Sequence, residues 1–369
     1  MTRCWFRLRP QAGNRLLWLL ALAAAAFALL RPLAPGDWLR LIDWPTLQAL
    51  AGLLVLTKGI ERSGALQHAA GQLLIHLHTQ RSLALALMVL SALLAAFLTN
   101  DVSLFLLVPL TVSLASLAQL PLERLVAIEA LAVNTGSALT PIGNPQNLFL
   151  WQSSNLGFGG FVAMMAAPVA LMASLLALTT LLLFPPRPVK LRERAAPARR
   201  DPRLLTVSVL LFAGFVAALE FKLALPALLL VLLVFVLFDC RLLTQVDWTL
   251  LAIIALMFVD LRQLASAPGV DQWLGRLPIR HGLGTFLAGV ACSQLISNVP
   301  TAILLRAHVG DLPALAAGVS VGGFGLAISS LANLIALRLA GSRRAPGLLH
   351  LIALPFLLLA TLAVGLLFV

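Results

Sequence analysis

Apolar stretches recur along this chain at short intervals, most of them close to 20 residues long, and that repetition leaves few folds open. A helix needs about 20 apolar residues to cross a bilayer. Runs of that kind cover 16–33, 44–60, 124–150, 160–184, 204–220, 223–239, 246–261, 312–337 and 347–369, with 124–150 and 312–337 interrupted. Two more runs, 82–118 and 283–306, are broken in the middle by polar residues. Sixty per cent of the 369 residues are apolar and 11% are charged, so the side chains with which a soluble protein covers itself are missing. The chain reads as an all-α polytopic membrane protein embedded in the lipid bilayer. If the two broken runs enter and return on one side as re-entrant hairpins, the chain crosses nine times, from a cytoplasmic N-terminus to a C-terminus on the opposite side.

Charge agrees with that course. The assigned cytoplasmic segments hold nineteen Lys and Arg residues against seven on the other side, the bias expected of an integral protein. The net charge of +12 therefore reports orientation, and no nucleic-acid partner follows from it. The arginine-led N-terminus resembles a signal peptide in part, but more membrane follows, so an uncleaved first span is the simpler reading. Cys4, Cys240 and Cys292 stand far apart and form no ligand pair, which predicts inert thiols and no structural metal.

The basic, proline-rich segment 185–203 reads as a cytoplasmic linker between two halves. "DWPTLQALAGLLVLTKGIERSG" from Asp43 has a counterpart in "DWTLLAIIALMFVDLRQLASAPG" from Asp247, and each precedes an amphipathic stretch, a broken run and an interrupted helix. The crossing count starts one on each side, so the halves are inverted repeats, an arrangement typical of secondary transporters. The expected organisation is a segment 1–43 with the first helix, a first repeat 44–184 with hairpin 82–118, the linker 185–203, and a second repeat 204–369 with hairpin 283–306.

Four polar clusters fall at membrane depth. Thr99, Asn100 and Asp101 interrupt the first broken run; "NTGSALTPIGNPQN" carries Asn134, Ser137, Thr140, Gly143, Asn144 and Asn147; Ser297, Asn298 and Thr301 interrupt the second run; Ser329, Ser330 and Asn333 follow a glycine-rich stretch. Breaking a helix in lipid frees backbone groups that hydrocarbon cannot satisfy, so such breaks survive only inside protein or around a wet cavity. A tip between two half-helices offers carbonyls on one side and free N–H groups on the other. In "TPIGNP", Pro141 and Pro145 remove donors, Gly143 is expected to permit an unusual backbone angle, and Asn144 and Asn147 to offer carbonyl oxygens. Helix capping by Thr99–Asp101 and helix packing by Ser297 and Asn298 stay open as plainer readings. Glu129 reads either as a buried functional carboxylate or as a helix-end residue neutralised by Arg124 or water, and Asp260 as interfacial. His68, His76 and His78 lie in the amphipathic stretch 63–81, expected along the interface. Gly136-Ser137 lacks a histidine at membrane depth, so no enzyme is expected.

"FLTNDVSLFLLVPLT" and "NTGSALTPIGNPQNLFLW", with "SQLISNVPTAILL" and "SSLANLIAL", resemble the signatures of the ion transporter superfamily, which contains arsenite permeases, citrate and dicarboxylate carriers and some sodium/proton antiporters. The likeness extends over about 44–369. It implies a two-repeat elevator-type carrier, often a homodimer, in the bacterial inner membrane, whose hairpin tips meet the unwound helices around solute and coupling cation. By that resemblance Asn100 and Asp101 face Gly143 and Asn144, while Ser297, Asn298 and Thr301 face Ser329, Ser330 and Asn333. The sodium-dicarboxylate branch has Ser-Asn-Thr at both tips, unlike this chain, so its coupling does not transfer.

The expected function is secondary active transport of a small anion or oxyanion by alternating access, with no cofactor beyond a coupling sodium ion or proton. Asp101 and Glu129 are the candidate proton-coupling residues. A sodium/proton antiporter and an uncoupled channel or scaffold are the alternatives.

Overall fold

The computed structural model describes residues 15–31, 34–75, 77–118, 120–189, 200–276, 279 and 281–369. Among them the chain is helical, with no strand beyond an isolated bridge between Thr79 and Pro188. In chain order the helices are α1 (Arg15–Leu30), α2 (Pro35–Leu41), α3 (Trp44–Arg62), α4 (Ala65–Ile75), α5 (Gln80–Phe97), α6 (Asn100–Ala118), α7 (Leu122–Ser137), α8 (Pro145–Gln152) and α9 (Phe158–Leu183). The second part holds α10 (Pro202–Glu220), α11 (Ala224–Leu243), α12 (Trp248–Ala265), α13 (Pro268–Arg276), α14 (Gly282–Ile296), α15 (Asn298–Leu305), α16 (Leu312–Val321), α17 (Leu331–Ala340) and α18 (Ala345–Gly365). Six of these, α5, α9, α10, α11, α12 and α18, are long and apolar enough to cross a membrane. That α5 qualifies by itself is notable, because the sequence places it in a re-entrant hairpin. Leu229, Leu230, Leu233 and Leu237 line an exposed face of α11, a surface suited to acyl chains and not to water.

The helices form two compact units. Unit 1 comprises Met1–Arg62 and Arg203–Leu277; unit 2 comprises Ser63–Pro202 and Pro278–Val369. Each unit therefore draws on both sequence halves.

Unit 1 shows why the Asp-Trp pair recurs. Asp43 accepts from the Thr46 backbone N–H at the start of α3, and Asp247 accepts from Thr249 and Leu250 at the start of α12, so both are helix caps. Each tryptophan donates its indole N–H to a carbonyl five residues back, Trp44 to Leu39 and Trp248 to Leu243. Arg262 then ties α12 to the entry of α3 through Asp43 and the Leu41 carbonyl. Cys240, expected as an inert thiol, is disulfide-bonded, while Cys292 is free. Asp260, read as interfacial, is shielded by protein. It is 5% exposed within the protein, on a helix packed against α1, α2 and α3.

Unit 2 is built on two close helix pairs. A Cβ at Gly136 of α7 would lie 2.0 Å from the Ala92 carbonyl of α5, and one at Gly318 of α16 would lie 2.4 Å from the Phe286 carbonyl of α14. Backbones approach that nearly only where a side chain is missing. Of the basic linker, 190–199 lies outside the described residues; its flank is pinned by Gln80 N–H to the Arg187 carbonyl and Val189 N–H to the His78 carbonyl. Within the amphipathic stretch His76 also lies outside the described residues.

Overpacking such contacts costs about 1–3 kcal/mol or more. Gly136→Val and Gly318→Val should each lower the thermal unfolding midpoint in detergent, whereas Gly214→Ala, whose added Cβ meets nothing within 4 Å, should not. Unchanged melting of the two valine variants would contradict the close pairing.

Candidate functional site

The first break falls where the sequence places it. α5 ends at Phe97, Leu98 has φ −103° and ψ −96°, and α6 begins at Asn100. The Asn100 side chain accepts from the Asp101 N–H at 3.0 Å, and the Asn100 N–H donates to the Gly143 carbonyl at 3.0 Å. Thr99 is buried and its Oγ1 has no partner; its carbonyl accepts from the Ser103 hydroxyl at 2.9 Å. Asp101 is half-buried.

Between α7 and α8 the backbone leaves the helix from Ala138 to Asn144. Asn144 caps α8 by accepting from the Asn147 N–H at 2.8 Å, with Pro145 at the first helical position. Its amide donates back to the Ser137 carbonyl at 3.0 Å. The Asn147 amide reaches the carbonyls of Ser137, Ala138 and Thr140 at 3.0–3.2 Å, and its Oδ1 has no partner. Thr140 donates to the Ala96 carbonyl of α5 at 2.5 Å. Gly143 corrects one expectation: its φ is not positive. A Cβ there would lie 2.3 Å from the Ser137 carbonyl and 2.9 Å from that of Ala95. Room, and not a left-handed angle, demands the glycine.

The second break is sharper. Ser297, between α14 and α15, has φ 74° and ψ 159°, a region that non-glycine residues enter only at a cost of roughly 1–3 kcal/mol. Its hydroxyl donates to the Ser329 carbonyl at 3.3 Å, Asn298 caps the Val299 N–H at 2.9 Å, and Thr301 donates to the Ser297 carbonyl at 2.8 Å. The partner loop runs from Gly322 to Ser330 between α16 and α17. Gln294 holds it, donating to the Gly322 and Phe324 carbonyls at 2.6 and 3.0 Å and accepting from the Leu326 N–H at 3.1 Å. The Ser329 hydroxyl donates to the Leu326 carbonyl at 2.7 Å, and Ser330 caps α17. His350 of α18 accepts from the Ala327 N–H at 3.0 Å.

Asn134 joins the halves. From α7 its amide donates to Asn333 Oδ1 at 2.9 Å and lies 3.3 Å from the Gly323 carbonyl, and its Oδ1 accepts from the Ser330 hydroxyl at 2.9 Å. Asn134, Asn298, Ser329, Ser330 and Asn333 are all buried. Gly323 also sits beside Asn298, whose Nδ2 would lie 3.1 Å from an added Cβ. The structure thus brings Asn134, Ser297, Asn298, Ser329, Ser330 and Asn333 into one network, and Asn100, Ser137, Thr140, Gly143, Asn144 and Asn147 into another beside it in unit 2. Four helices, α6, α8, α15 and α17, start at these clusters, so partial positive charge collects there. Asp101 is the one charged side chain among the clustered residues named. Among the described residues no group of three or more His, Cys, Asp or Glu could hold a metal.

Glu129 stands apart from the network. It is fully buried on α7, one oxygen accepting from the Thr111 hydroxyl of α6 at 2.5 Å and the other without a partner. Neither Gln294 nor Thr111 stood out in the sequence; Gln294 had only its place beside the Ser-Asn break as a signal. Glu123, in the first turn of α7 and outside the apolar runs, accepts from Ser342 at 2.8 Å, and that hydrogen bond holds its carboxyl below the ordinary carboxylate range. At the far end of α15, Arg306 donates to the Ser153 hydroxyl and carbonyl at 3.2 Å and lines a cavity of about 480 Å³ that none of the expected site residues reaches.

Residues 12–318 match the citrate transporter family, CitMHS. The chain is 42% identical to the inner membrane protein YbiR of Escherichia coli K12, over 96% of this chain and 95% of that one. It is 30% identical to an uncharacterized transporter of Methanocaldococcus jannaschii, covering 84% and 85%, and 30% identical to part of the silicon efflux transporter LSI3 of Oryza sativa subsp. japonica, covering 38% and 29%. The crystal structure of the Alcanivorax borkumensis YdaH transporter superposes with a TM-score of 0.53 over 96% of each chain at 18% identity, a likeness of fold.

Ser297→Gly should relieve the backbone cost at the second break and raise the thermal midpoint, while Asn147→Ala and Gln294→Ala, each stranding buried carbonyls, should lower it by the equivalent of about 1–3 kcal/mol. A stability ranking in the reverse order would contradict these assignments.

Proposed function

The chain belongs to the citrate transporter family, and from that membership we propose that this integral membrane transporter is a secondary carrier of a small anion or oxyanion, coupled to sodium or a proton and working by alternating access. The observation that carries the reading is the Asn134–Asn333 hydrogen bond at 2.9 Å, which places broken helices of both halves around one polar region inside unit 2. Amides, hydroxyls and four helix N-termini suit a compact, oxygen-rich solute of low charge. Thr99 Oγ1, Gln146 Oε1 and Asn147 Oδ1, buried and unpartnered, are atoms to which solute or cation would bind. The two broken runs serve as re-entrant hairpins, and the carrier works as a homodimer, as in the superfamily it resembles.

Asp101 ties solute to ion. An anion approaching the first tip meets its carboxylate, and a cation or proton there removes the repulsion, so the two are favoured together. A second reading, a sodium/proton antiporter, is favoured by the lack of Lys or Arg in the four clusters, since nothing there obliges an anion to bind.

The test is flux into proteoliposomes loaded with citrate, arsenite or silicic acid under imposed sodium and proton gradients. Asp101→Asn should abolish gradient-driven uptake while exchange of preloaded solute continues. Sodium-for-proton exchange with no movement of any of the three solutes would replace the carrier reading with the antiporter.

A further inference from the structure

We propose that Glu129 is a proton-binding site and holds a proton of the transport cycle in addition to the ion at Asp101, an assignment that rests on the carrier reading above. Glu129 is 0% exposed on α7 and has one hydrogen bond, from Thr111, leaving Oε2 buried with no partner. An ionised carboxylate in that position has lost its water and gained one hydroxyl in exchange. A group so placed takes up a proton instead of remaining charged.

Among the described residues no ion pair reaches Glu129. The helices packed against α7 are α5, α6, α9, α16, α17 and α18. On α5, Arg81 donates to the Phe184 carbonyl at the start of the helix. On α17, Arg338 lies on the exposed face, opposite to Asn333, Ala336 and Ala340. On α18, His350 accepts from Ala327, and Arg344 stands at its cap. The described parts of α9 and α16 hold no titratable side chain. On α6 the titratable residue is Asp101, ten residues from Thr111 and so about 15 Å along the axis. On α7 itself Glu123 and Arg124 occupy the first turn, five or more residues away, with Glu123 held by Ser342.

The position gives the proton a consequence. Thr111 belongs to α6, whose first residue forms the first break, and Glu129 lies five residues, about 7.5 Å of helix, before Asn134. With the proton bound, α6 seats against α7 across a neutral contact. Once the proton passes to water, the bare carboxylate needs hydration, which the closed packing denies it, so proton loss favours a conformation that separates α6 from α7. Proton occupancy and the geometry of the first tip are thereby linked.

Infrared difference spectroscopy of the purified protein in lipid tests the site without any solute. Wild type and Asp260→Asn should show a protonated-carboxyl C=O band at neutral pH that bleaches at alkaline pH, and Glu129→Gln should lose it. Persistence of that band in Glu129→Gln overturns the site. In proteoliposomes, a proton gradient should accelerate uptake of whichever of citrate, arsenite and silicic acid wild type and Asp260→Asn carry, and the acceleration should vanish in Glu129→Gln. Equal acceleration in Glu129→Gln overturns the coupling role, and a wild type that moves none of the three overturns the carrier reading while the infrared band still decides the proton site.

Discussion

Hydrocarbon supplies no partner to an unwound backbone, and the polar architecture of unit 2 follows from that one constraint. Asn147 closes the carbonyls of the first loop and Gln294 closes both donors and acceptors of the second. Each does with one amide what a turn of helix would otherwise do for itself. The breaks can then persist inside unit 2, where the helix ends meet polar side chains in place of lipid.

Charge is distributed with the same economy. In unit 1, Arg262 pairs with Asp43 and Arg62 with Asp239, all at helix ends. In unit 2 the interior carries carboxylates but no lysine or arginine among the clustered residues, so local positive potential comes from helix N-termini. On the proposed reading, such a site would attract an anion without the deep well that a buried guanidinium would create. Weak retention would suit the proposed carrier, which must release what it binds.

Much of this was legible along the chain. The breaks at Thr99 and Ser297 stand out because amides and hydroxyls interrupt long apolar runs, and "TPIGNP" because prolines bracket a glycine. The Asp-Trp pairs announced two helix starts, and both aspartates are caps. Other features depend on contacts that sequence order does not contain. Gln294 looks like an ordinary amide in an apolar helix until its loop, some 30 residues on, folds back to it. Gly143 reads as a turn residue, although crowding by Ser137 and Ala95 is what requires it. Thr111 and Glu129 sit in separate apolar runs, and the partition into two units takes helices from both halves, so neither could be read from one segment at a time.

The Asn134 bridge has a bearing on how the protein comes into being. Ribosomes deliver α7 to the membrane nearly 200 residues before the strand of chain that holds Ser330 and Asn333. During that interval the Asn134 side chain is without its eventual partners, and the nascent first half must shelter it by water, by the insertion machinery or by looser helix contacts. Completion of the polar region is therefore a late event that waits for α17 to dock, and a chain released before that point lacks the Asn333 and Ser330 partners of Asn134.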